Sequence, residues 1–333
     1  MHGILVILKP PGMTSHDVVV AVRRCTNQRR VGHTGTLDPG AAGVLVLCMG
    51  DATRFIPFME EYVKGYRAEL FLGRSTDTQD AGGQTLAEKR EFALTDSDML
   101  EAFQAFQGEI QQIPPMVSAL KHKGQRLYQL ARRGQVVDRK PRSIHIYRLI
   151  PVGNWQKPAW RFGHTLMYDT LCSKGTYIRT LCEDIGEYLG VPTHMSFLLR
   201  TQVGPWRLEH AVTLEEFTAG MAKLQADENQ PPFEGCPPLP GFFPVDRGVG
   251  HLPGAIFDLP DAKRLRQGGR LREDQVLSFC APDSDLFAAT GTTATEESLL
   301  RLYNVKGQFL GIGQRQRGAD QIWKIRPVRM LPS

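Results

Sequence analysis

The sequence predicts an α+β protein with a large amino-terminal domain, residues 1–245, and a small β-rich domain, residues 246–333. Segments with strand and helix patterns interchange through the first two thirds of the chain. Between residues 227 and 244 the composition shifts to proline, glycine and acid, which indicates a linker. Little helical periodicity remains beyond it. With 333 residues and 41% hydrophobic content, the chain is long enough to bury a sizeable core.

The first elements follow from apolar runs and turn residues. Residues 4–8 form a short apolar run that ends at Lys-Pro-Pro-Gly, which predicts a buried strand and a turn. We expect Ser15 to cap a helix that ends near Asn27, because Val18, Val19 and Val22 recur at helical spacing. A glycine-punctuated loop over residues 32–40 and a second buried strand over residues 44–49 follow.

Later elements are predicted in the same way. Residues 66–72 and 165–172 are predicted strands. Thr95 should cap a helix whose apolar residues are Met99, Leu100, Phe103, Phe106 and Ile110. After a turn over residues 173–175, a second helix carries Ile178, Leu181, Ile185 and Leu189 on its inner face. Near the carboxyl end, residues 299–305 and 309–312 flank Lys306-Gly307, which indicates a hairpin.

Composition excludes several protein classes. The six cysteines form no C-x-x-C pair and no cysteine/histidine cluster with zinc-finger spacing, which favours a reduced, cytosolic protein without a metal. The amino terminus has no secretory signal pattern. The longest apolar stretch, near residues 43–50, falls well short of the roughly 20 residues that a membrane-spanning helix needs.

Basic residues are concentrated in one segment. Residues 121–150 have a net charge of +8, whereas the whole chain has +5. A surface that follows nucleic-acid phosphates needs such a concentration, although a solvated basic loop gives the same pattern. The segment contains one acid, Asp138, and nine basic residues, namely Lys121, Lys123, Arg126, Arg132, Arg133, Arg139, Lys140, Arg142 and Arg148. A weaker basic patch comprises Lys263, Arg264, Arg266, Arg270 and Arg272.

The glycine-punctuated loop presents one acid, Asp38. Pro39 biases Asp38 toward an extended backbone, which gives the carboxylate a defined direction. Gly32, Gly35, Gly40 and Gly43 allow close approach to a ligand or a positive φ. These features fit a rigid active-site loop, and they also fit an ordinary Asp-Pro-Gly turn with a solvated side chain.

The residues around Asp38 resemble a known motif. The run from Gly32 to Pro39, with Ala41, Gly43 and Val44-Leu45, is very similar to the catalytic motif of the TruB family of tRNA pseudouridine(55) synthases. Further blocks match the family in order between about residues 3 and 205, and so many ordered matches are specific. They are Lys9-Pro10 with residues 12–15, Lys64-Gly65-Tyr66, residues 76–82, residues 114–121, residues 128–134 and residues 172–181. The segments 307–313 and 326–329 resemble, more loosely, a PUA-type RNA-binding barrel.

The resemblance implies a pseudouridine-synthase fold with a mainly antiparallel sheet, and it implies catalytic roles for Asp38, Tyr66 and Arg179. Asp38 would attack or assist at the ribose of the target nucleotide. Arg179 would pair with Asp38, although a surface pair with Glu183 fits the same spacing. Tyr66 would stack on the target base, although it also fits as one more aromatic residue on a strand.

The resemblance also implies a set of RNA contacts. His33 would fill the space that the flipped nucleotide leaves, and a metal is improbable at a lone histidine. Some of the other contacts are equally consistent with turn or cap chemistry. The predicted substrate-binding residues are His33, Lys9, Gly32, Thr36, Leu37, Lys174, Thr176, Tyr177 and Leu198, and the predicted RNA-backbone contacts are Lys121, Lys123, Arg126, Arg132, Arg133 and Arg142.

The leading hypothesis is a cytoplasmic, monomeric synthase that acts on the T-arm of tRNA without a cofactor, metal or guide RNA. Three alternatives stay open at this stage: an RNA-guided synthase, a non-catalytic RNA-binding module or chaperone, and a glycosidase, for which a second carboxylate is missing. The chain departs from the family pattern at Leu8, Gly40, Ala42 and Leu199, and none of these positions is a catalytic group.

Overall fold

A computed structural model of the protein describes residues 1–118, 120–122, 124–131, 133–226, 238–283, 298–318 and 320–332, with the main chain alone at residues 121 and 122. The predicted linker lies outside the described residues over positions 227–237. The described helices are α1 (Ser15–Thr26), α2 (Ile56–Met59), α3 (Asp96–Ala105), α4 (Leu127–Ala131), α5 (Ile178–Leu189), α6 (Leu214–Ala226) and α7 (Leu259–Arg266).

Most of the described strands belong to two sheets. The amino-terminal strands are β1 (Gly3–Lys9), β2 (Val31–His33), β3 (Ala42–Met49), β4 (Lys64–Leu72), β5 (Arg74–Thr76), β6 (Thr85–Glu88), β7 (Gly108–Gln112), β8 (Lys121–His122), β9 (Gln125–Arg126), β10 (Arg142–Pro151), β11 (Thr165–Cys172), β12 (Thr193–Val203), β13 (Trp206–Arg207) and β14 (Phe242–Phe243). The carboxy-terminal strands are β15 (Gly254–Phe257), β16 (Leu271–Arg272), β17 (Ser278–Cys280), β18 (Leu299–Asn304), β19 (Phe309–Arg317) and β20 (Trp323–Met330).

The large sheet is mixed and mainly antiparallel, which confirms the predicted fold class. Its strand order is β14-β1-β3-β12-β4-β11-β10-β7, with β2 beside β3 and β13 beside β12. Within the described part of this sheet, the pair β3 and β12 alone runs parallel, with Leu199 opposite Ala42 and Arg200 opposite Gly43. Two antiparallel halves of the sheet therefore meet at that pair. The glycine-punctuated loop that carries Asp38 leads into β3 at this junction.

Helix α1 begins one residue earlier than the predicted cap implies. The N-cap is Thr14, whose side chain accepts from the Asp17 N–H while the Asp17 carboxylate accepts from the Thr14 N–H. This capping box satisfies two otherwise unpaired donors. Ser15 is consequently released for another contact, described below. The helix ends as predicted, at Asn27 in the left-handed conformation.

Helix α3 is capped by Thr95 as predicted, but it ends at Ala105, before the last predicted helical residue. Gly108 has a φ of +92°, which breaks the helix and turns the chain into β7. Ile110 therefore lies in a strand, opposite Ile144 of β10.

The carboxy-terminal strands form a separate six-stranded sheet in the order β16-β20-β19-β18-β15-β17, which confirms the predicted β-rich end of the chain. Strands β18 and β19 form the predicted hairpin. Its Ile312, fully buried, belongs to the same apolar cluster as Ile4 and Val46 of the large sheet. The two sheets therefore share part of one core. Among the described residues, no helix has the length and apolar character needed to cross a membrane.

Candidate active site

The loop that carries Asp38 connects β2 to β3 and is fixed at several points. It is shorter than predicted, since Val31 to His33 already form strand β2. The Ser15 hydroxyl accepts from the Leu37 N–H at 2.8 Å and donates to the Leu37 carbonyl at 3.0 Å. The Gly12 N–H donates to the Pro39 carbonyl at 2.8 Å. Leu37 and Ala41 are buried in the core beneath the loop. The main chain on both sides of Asp38 is thereby held.

Asp38 forms an ion pair with Arg179, which lies in the first turn of α5. Arg179 Nε is 2.9 Å from Asp38 Oδ2, and the side chains are 5% and 39% exposed, respectively. The two terminal nitrogens of Arg179 donate to the carbonyls of Thr78 and Val117, at 3.0 and 2.9 Å. A buried guanidinium with all these contacts has a fixed direction, so it orients the more exposed carboxylate.

Glu183, the alternative partner predicted for Arg179, does not form an ion pair with it within the described residues. Glu183 instead accepts a hydrogen bond from the side-chain amide of Gln79. A second acid does approach Arg179, since Asp80 Oδ2 is 3.9 Å from Arg179 Nε. Asp80 lies within residues 76–82, one of the blocks that resemble the TruB family, and no role was predicted for it. The arginine therefore lies between two carboxylates, with the shorter contact to Asp38.

Tyr66 lies on β4 with its ring almost fully buried. Burial raises the pKa of its phenol to about 12, and the nearby Arg200 guanidinium opposes this rise. The side chain is therefore a neutral phenol at physiological pH. It shares one cavity with Asp38 and Arg179, so the structure brings the three predicted catalytic residues together.

That cavity has a volume of about 350 Å³. It opens beside a larger cleft of about 1000 Å³, and both are lined by Thr36, Leu37, Asp38 and Ser118. The smaller cavity is also lined by the predicted residues Lys174, Thr176, Tyr177 and Leu198. His33 lines the larger cleft together with Arg126 and Tyr128. Most of the predicted substrate-binding residues thus border one continuous depression.

Two predicted contact residues lie elsewhere. Lys9 is completely buried, and its ammonium donates to the carbonyls of Pro10, Met13 and Pro39. Its burial lowers its pKa to about 8. Gly32 is paired with Cys48 in the sheet and lines neither cavity. Lys9 therefore holds the loop through main-chain carbonyls, and Gly32 belongs to the strand that leads into it.

The predicted RNA-backbone residues are only partly described. Arg126 borders the larger cleft. Arg133 and Arg142 are exposed and border neither cavity. Lys123, Arg132 and the side chain of Lys121 lie outside the described residues.

Burial also affects other basic groups near the cavity. It lowers the pKa of Lys64 to about 8, and it lowers the pKa of His33. The Nδ1 atom of His33 is buried and has no hydrogen-bond partner within the described part of the chain. In that same part, no three His, Cys, Asp or Glu side chains are grouped to hold a metal ion. The site thus combines an acid, an arginine and a phenol, and the partly buried Lys64 lines the same cavity.

Comparison with known protein families agrees with this geometry. The model of the TruB family pseudouridylate synthase N-terminal domain matches residues 23–178, and that of the tRNA pseudouridylate synthase B C-terminal domain matches residues 179–237. The tRNA pseudouridine synthase B of Caldanaerobacter subterraneus subsp. tengcongensis is 39% identical over 331 residues, which cover 99% of each chain. The chain belongs to the TruB family.

Other TruB relatives agree. The tRNA pseudouridine synthase B of Alkaliphilus oremlandii is 45% identical over 277 residues, which cover 83% of this chain and 85% of the relative. Among solved structures, an H/ACA RNP bound to a substrate RNA containing 2′-deoxyuridine includes a similar chain, with a TM-score of 0.71 and 21% identity. That match covers 99% of this TruB chain and 85% of the other, and it establishes the fold alone.

Proposed function

We propose that this chain isomerises the T-loop uridine at position 55 of tRNA to pseudouridine. The observation that carries the proposal is the Asp38–Arg179 ion pair, which lies with Tyr66 in one cavity of a TruB-family chain. The reaction breaks the C1′–N1 bond, forms a C1′–C5 bond and replaces the C5 proton by one on N1. The product has the same atoms as the substrate, and the substrate is neither oxidised nor reduced. The proposed reaction therefore uses no redox cofactor.

Asp38 acts at the ribose of the target nucleotide in this proposal. A carboxylate catalyses there only when it is ionised, and the buried Arg179 guanidinium stabilises that form through a charge-assisted hydrogen bond. Because Arg179 is also bonded to two carbonyls, the carboxylate is oriented before the substrate arrives.

Tyr66 stacks on the flipped uracil and assists proton transfer at its carbon. With a phenol pKa near 12, it presents an intact O–H group at neutral pH. Its side chain lines the cavity, where an aromatic ring is available to a base that enters.

The cavity dimensions fit a nucleotide that leaves its stack. The small cavity accommodates the flipped base, and Thr36, Leu37, Lys174, Thr176, Tyr177 and Leu198 surround it. His33, in the adjoining cleft, takes the place that the nucleotide vacates. Flipping costs a few kcal/mol, which such stacking and polar contacts offset.

The T-arm backbone lies along the basic segment. Lys121, Lys123, Arg126, Arg132, Arg133 and Arg142 bind its phosphates, and the carboxy-terminal domain, residues 246–333, adds a second RNA-binding surface. Each neutralised phosphate makes binding more sensitive to salt. We propose a cytoplasmic monomer that needs no guide RNA.

The test is pseudouridine formation in an unmodified tRNA transcript, mapped to the nucleotide, with purified wild type and Asp38→Asn and no added cofactor. We expect wild type to modify the T-loop uridine and Asp38→Asn to form no product while it keeps salt-sensitive tRNA binding.

The matched control is Asp169→Asn, which removes another acid paired with an arginine, Arg67. Arg67 follows Tyr66 on β4 and therefore points to the opposite face of the sheet. This variant should retain activity. Tight tRNA binding without product from wild type would instead support a non-catalytic RNA chaperone.

A further inference from the structure

Arg200 is a buried cation with an unusual set of partners. It lies on β12 with only 1% of its surface exposed. Its Nε donates to the Val44 carbonyl at 2.7 Å, and its terminal nitrogens donate to the carbonyls of Thr36 and Gly35 at 3.1 and 3.2 Å. Within the described chain, no carboxylate forms an ion pair with it. Burying an arginine without an acid costs free energy, and the three hydrogen bonds to carbonyls offset part of that cost.

Two of the three carbonyls belong to the loop that carries Asp38. Gly35 and Thr36 precede Asp38 by three and two residues, and Val44 is a fully buried residue of the next strand, β3. A planar guanidinium bonded to all three fixes the loop against the sheet. Lys9 holds the other side of the loop through the Pro39 carbonyl. Asp38 therefore lies between two segments that buried cations hold.

Arg200 also lies directly opposite Tyr66. The two residues are cross-strand partners in the antiparallel pair of β12 and β4. Directly opposed residues project from the same face of a sheet at contact distance. Both side chains are buried. The Arg200 guanidinium therefore contacts the loop that carries Asp38 and also faces β4, the strand that carries Tyr66.

Gly43 explains how Arg200 reaches the loop. It pairs with Arg200 in the parallel junction and has a φ of +120°. A Cβ atom at this position would lie 2.2 Å from the Arg200 carbonyl oxygen, which leaves no room for a side chain. The close approach of β3 and β12 thus places the Arg200 side chain beneath residues 35 and 36.

We propose that Arg200 is a positioning residue: it sets the distance between the Asp38 carboxylate and the Tyr66 hydroxyl by holding the loop of one against the strand of the other. This inference rests on the proposed function, because it assigns both groups to the same nucleotide. A displacement of about 1 Å in such a geometry costs on the order of 100-fold in rate. Binding of the tRNA backbone does not involve Arg200, which is inaccessible from the surface.

The test compares Arg200→Lys and Arg200→Gln with wild type in single-turnover pseudouridine formation, tRNA affinity and thermal unfolding. Lysine keeps the charge but lacks the planar fork, and glutamine keeps two donors without the charge. We expect both variants to lose on the order of 100-fold in rate, with tRNA Kd unchanged within about threefold. In a Tyr66→Phe background, Arg200→Lys should cost far less, because the two residues act together.

Arg301→Lys is the matched control. Arg301 is also buried, 6% exposed, but it pairs with Asp283 and lies in the carboxy-terminal sheet. It should lose thermal stability and keep the rate. Active Arg200 variants, or variants whose rate, affinity and melting temperature fall together, would overturn the positioning role. Wild type without product would contradict the proposed function instead, so the two failures are distinguishable.

Discussion

At the scale of single residues, the orientation of Asp38 depends on Arg179. Arg179→Lys keeps a positive charge and three donors, but it lacks the planar fork with which arginine reaches Asp38 and the carbonyls of Thr78 and Val117 in fixed directions. We expect the single-turnover rate to fall on the order of 100-fold to 1000-fold, as when a preorganised donor is removed from an active site. Affinity for tRNA should change much less, since the pair is not a phosphate contact.

Arg67→Lys is the control for that experiment. Arg67 makes a bidentate pair with Asp169 on the opposite face of β4, where it is 45% exposed. Because exposed pairs contribute little, the rate and the melting temperature should stay near those of wild type. Equal rates for Arg179→Lys and Arg67→Lys would exclude an orienting role for Arg179.

Asp184 makes the stability of the fold depend on pH. Burial, followed by the charges of Glu187 and Glu183, raises its pKa from 3.8 to about 7. A carboxyl whose pKa is raised by folding stabilises the protein fully below its unfolded pKa and loses that contribution as pH rises toward the folded value. We therefore expect Asp184→Asn to raise the melting temperature relative to wild type at pH 8 and to have little effect at pH 4.5. Melting curves of both proteins across this range check the prediction, and a difference that does not change with pH would contradict it.

The resemblance to the TruB family predicted that Asp38, Arg179 and Tyr66 lie together, whereas local chemistry alone left an ordinary turn, a surface ion pair and a plain strand residue as alternatives. The sequence did not predict that Lys9 and Arg200 are buried against main-chain carbonyls. Whether a cation faces a ligand or a carbonyl depends on which strands pack around it, and the junction of β3 and β12 joins residues more than 150 positions apart. Asp80 was missed for the same reason, since only the fold brings it near Arg179.

At the scale of secondary-structure elements, Gln112 connects the end of β7 to the start of α5. Its amide oxygen accepts from the Tyr177 N–H at 2.8 Å, and its amide nitrogen donates to the Tyr177 carbonyl at 3.1 Å. Gln112→Ala leaves the Tyr177 N–H and carbonyl without these partners. Each group lowers the free energy of unfolding by about 1–3 kcal/mol if no water replaces the lost hydrogen bond. We expect lower stability in urea unfolding and a lower rate, because Arg179 follows Tyr177 by two residues.

Gln111→Ala provides the matched comparison for this connection. Gln111 precedes Gln112 on β7 and is exposed, so the substitution removes a similar side chain without the contact to α5. It should alter neither urea midpoint nor rate. If Gln112→Ala behaved in the same way, β7 would not determine the position of the helix start.

Element boundaries were predicted less well than element types. The helix that Thr95 begins was expected to continue to Ile110, which in fact lies in strand β7. A helix and a strand would both place Ile110 against the core, where it is partly buried, so periodicity alone does not distinguish them. The positive φ at Gly108 decides the outcome, and a single glycine within a helical pattern is a weak signal.

At the scale of the whole molecule, the predicted boundary near residue 245 separates two sheets that are not independent. Strand β14 completes the edge of the large sheet against β1, just before the boundary. Across the boundary, the Tyr62 hydroxyl donates to the Gly248 carbonyl, and Arg54 Nη1 donates to the Met330 carbonyl at 3.0 Å. A composition shift marks where a linker begins, but it contains no information about the contacts that the two sheets make afterwards.

The shared apolar cluster predicts that the two sheets unfold together. Ile312 of β19 is fully buried in the cluster that contains Ile4 and Val46 of the large sheet. Leu302 of β18 is equally buried, but in a cluster formed by the carboxy-terminal sheet and helix α7. Either substitution to alanine should cost about 2–5 kcal/mol. In hydrogen exchange, we expect Ile312→Ala to reduce amide protection in both β1 and β19, and Leu302→Ala to reduce it mainly in the carboxy-terminal sheet. Unchanged protection of β1 in Ile312→Ala would mean that the large sheet is stable without this contact, and the carboxy-terminal sheet would then be an independently folding unit.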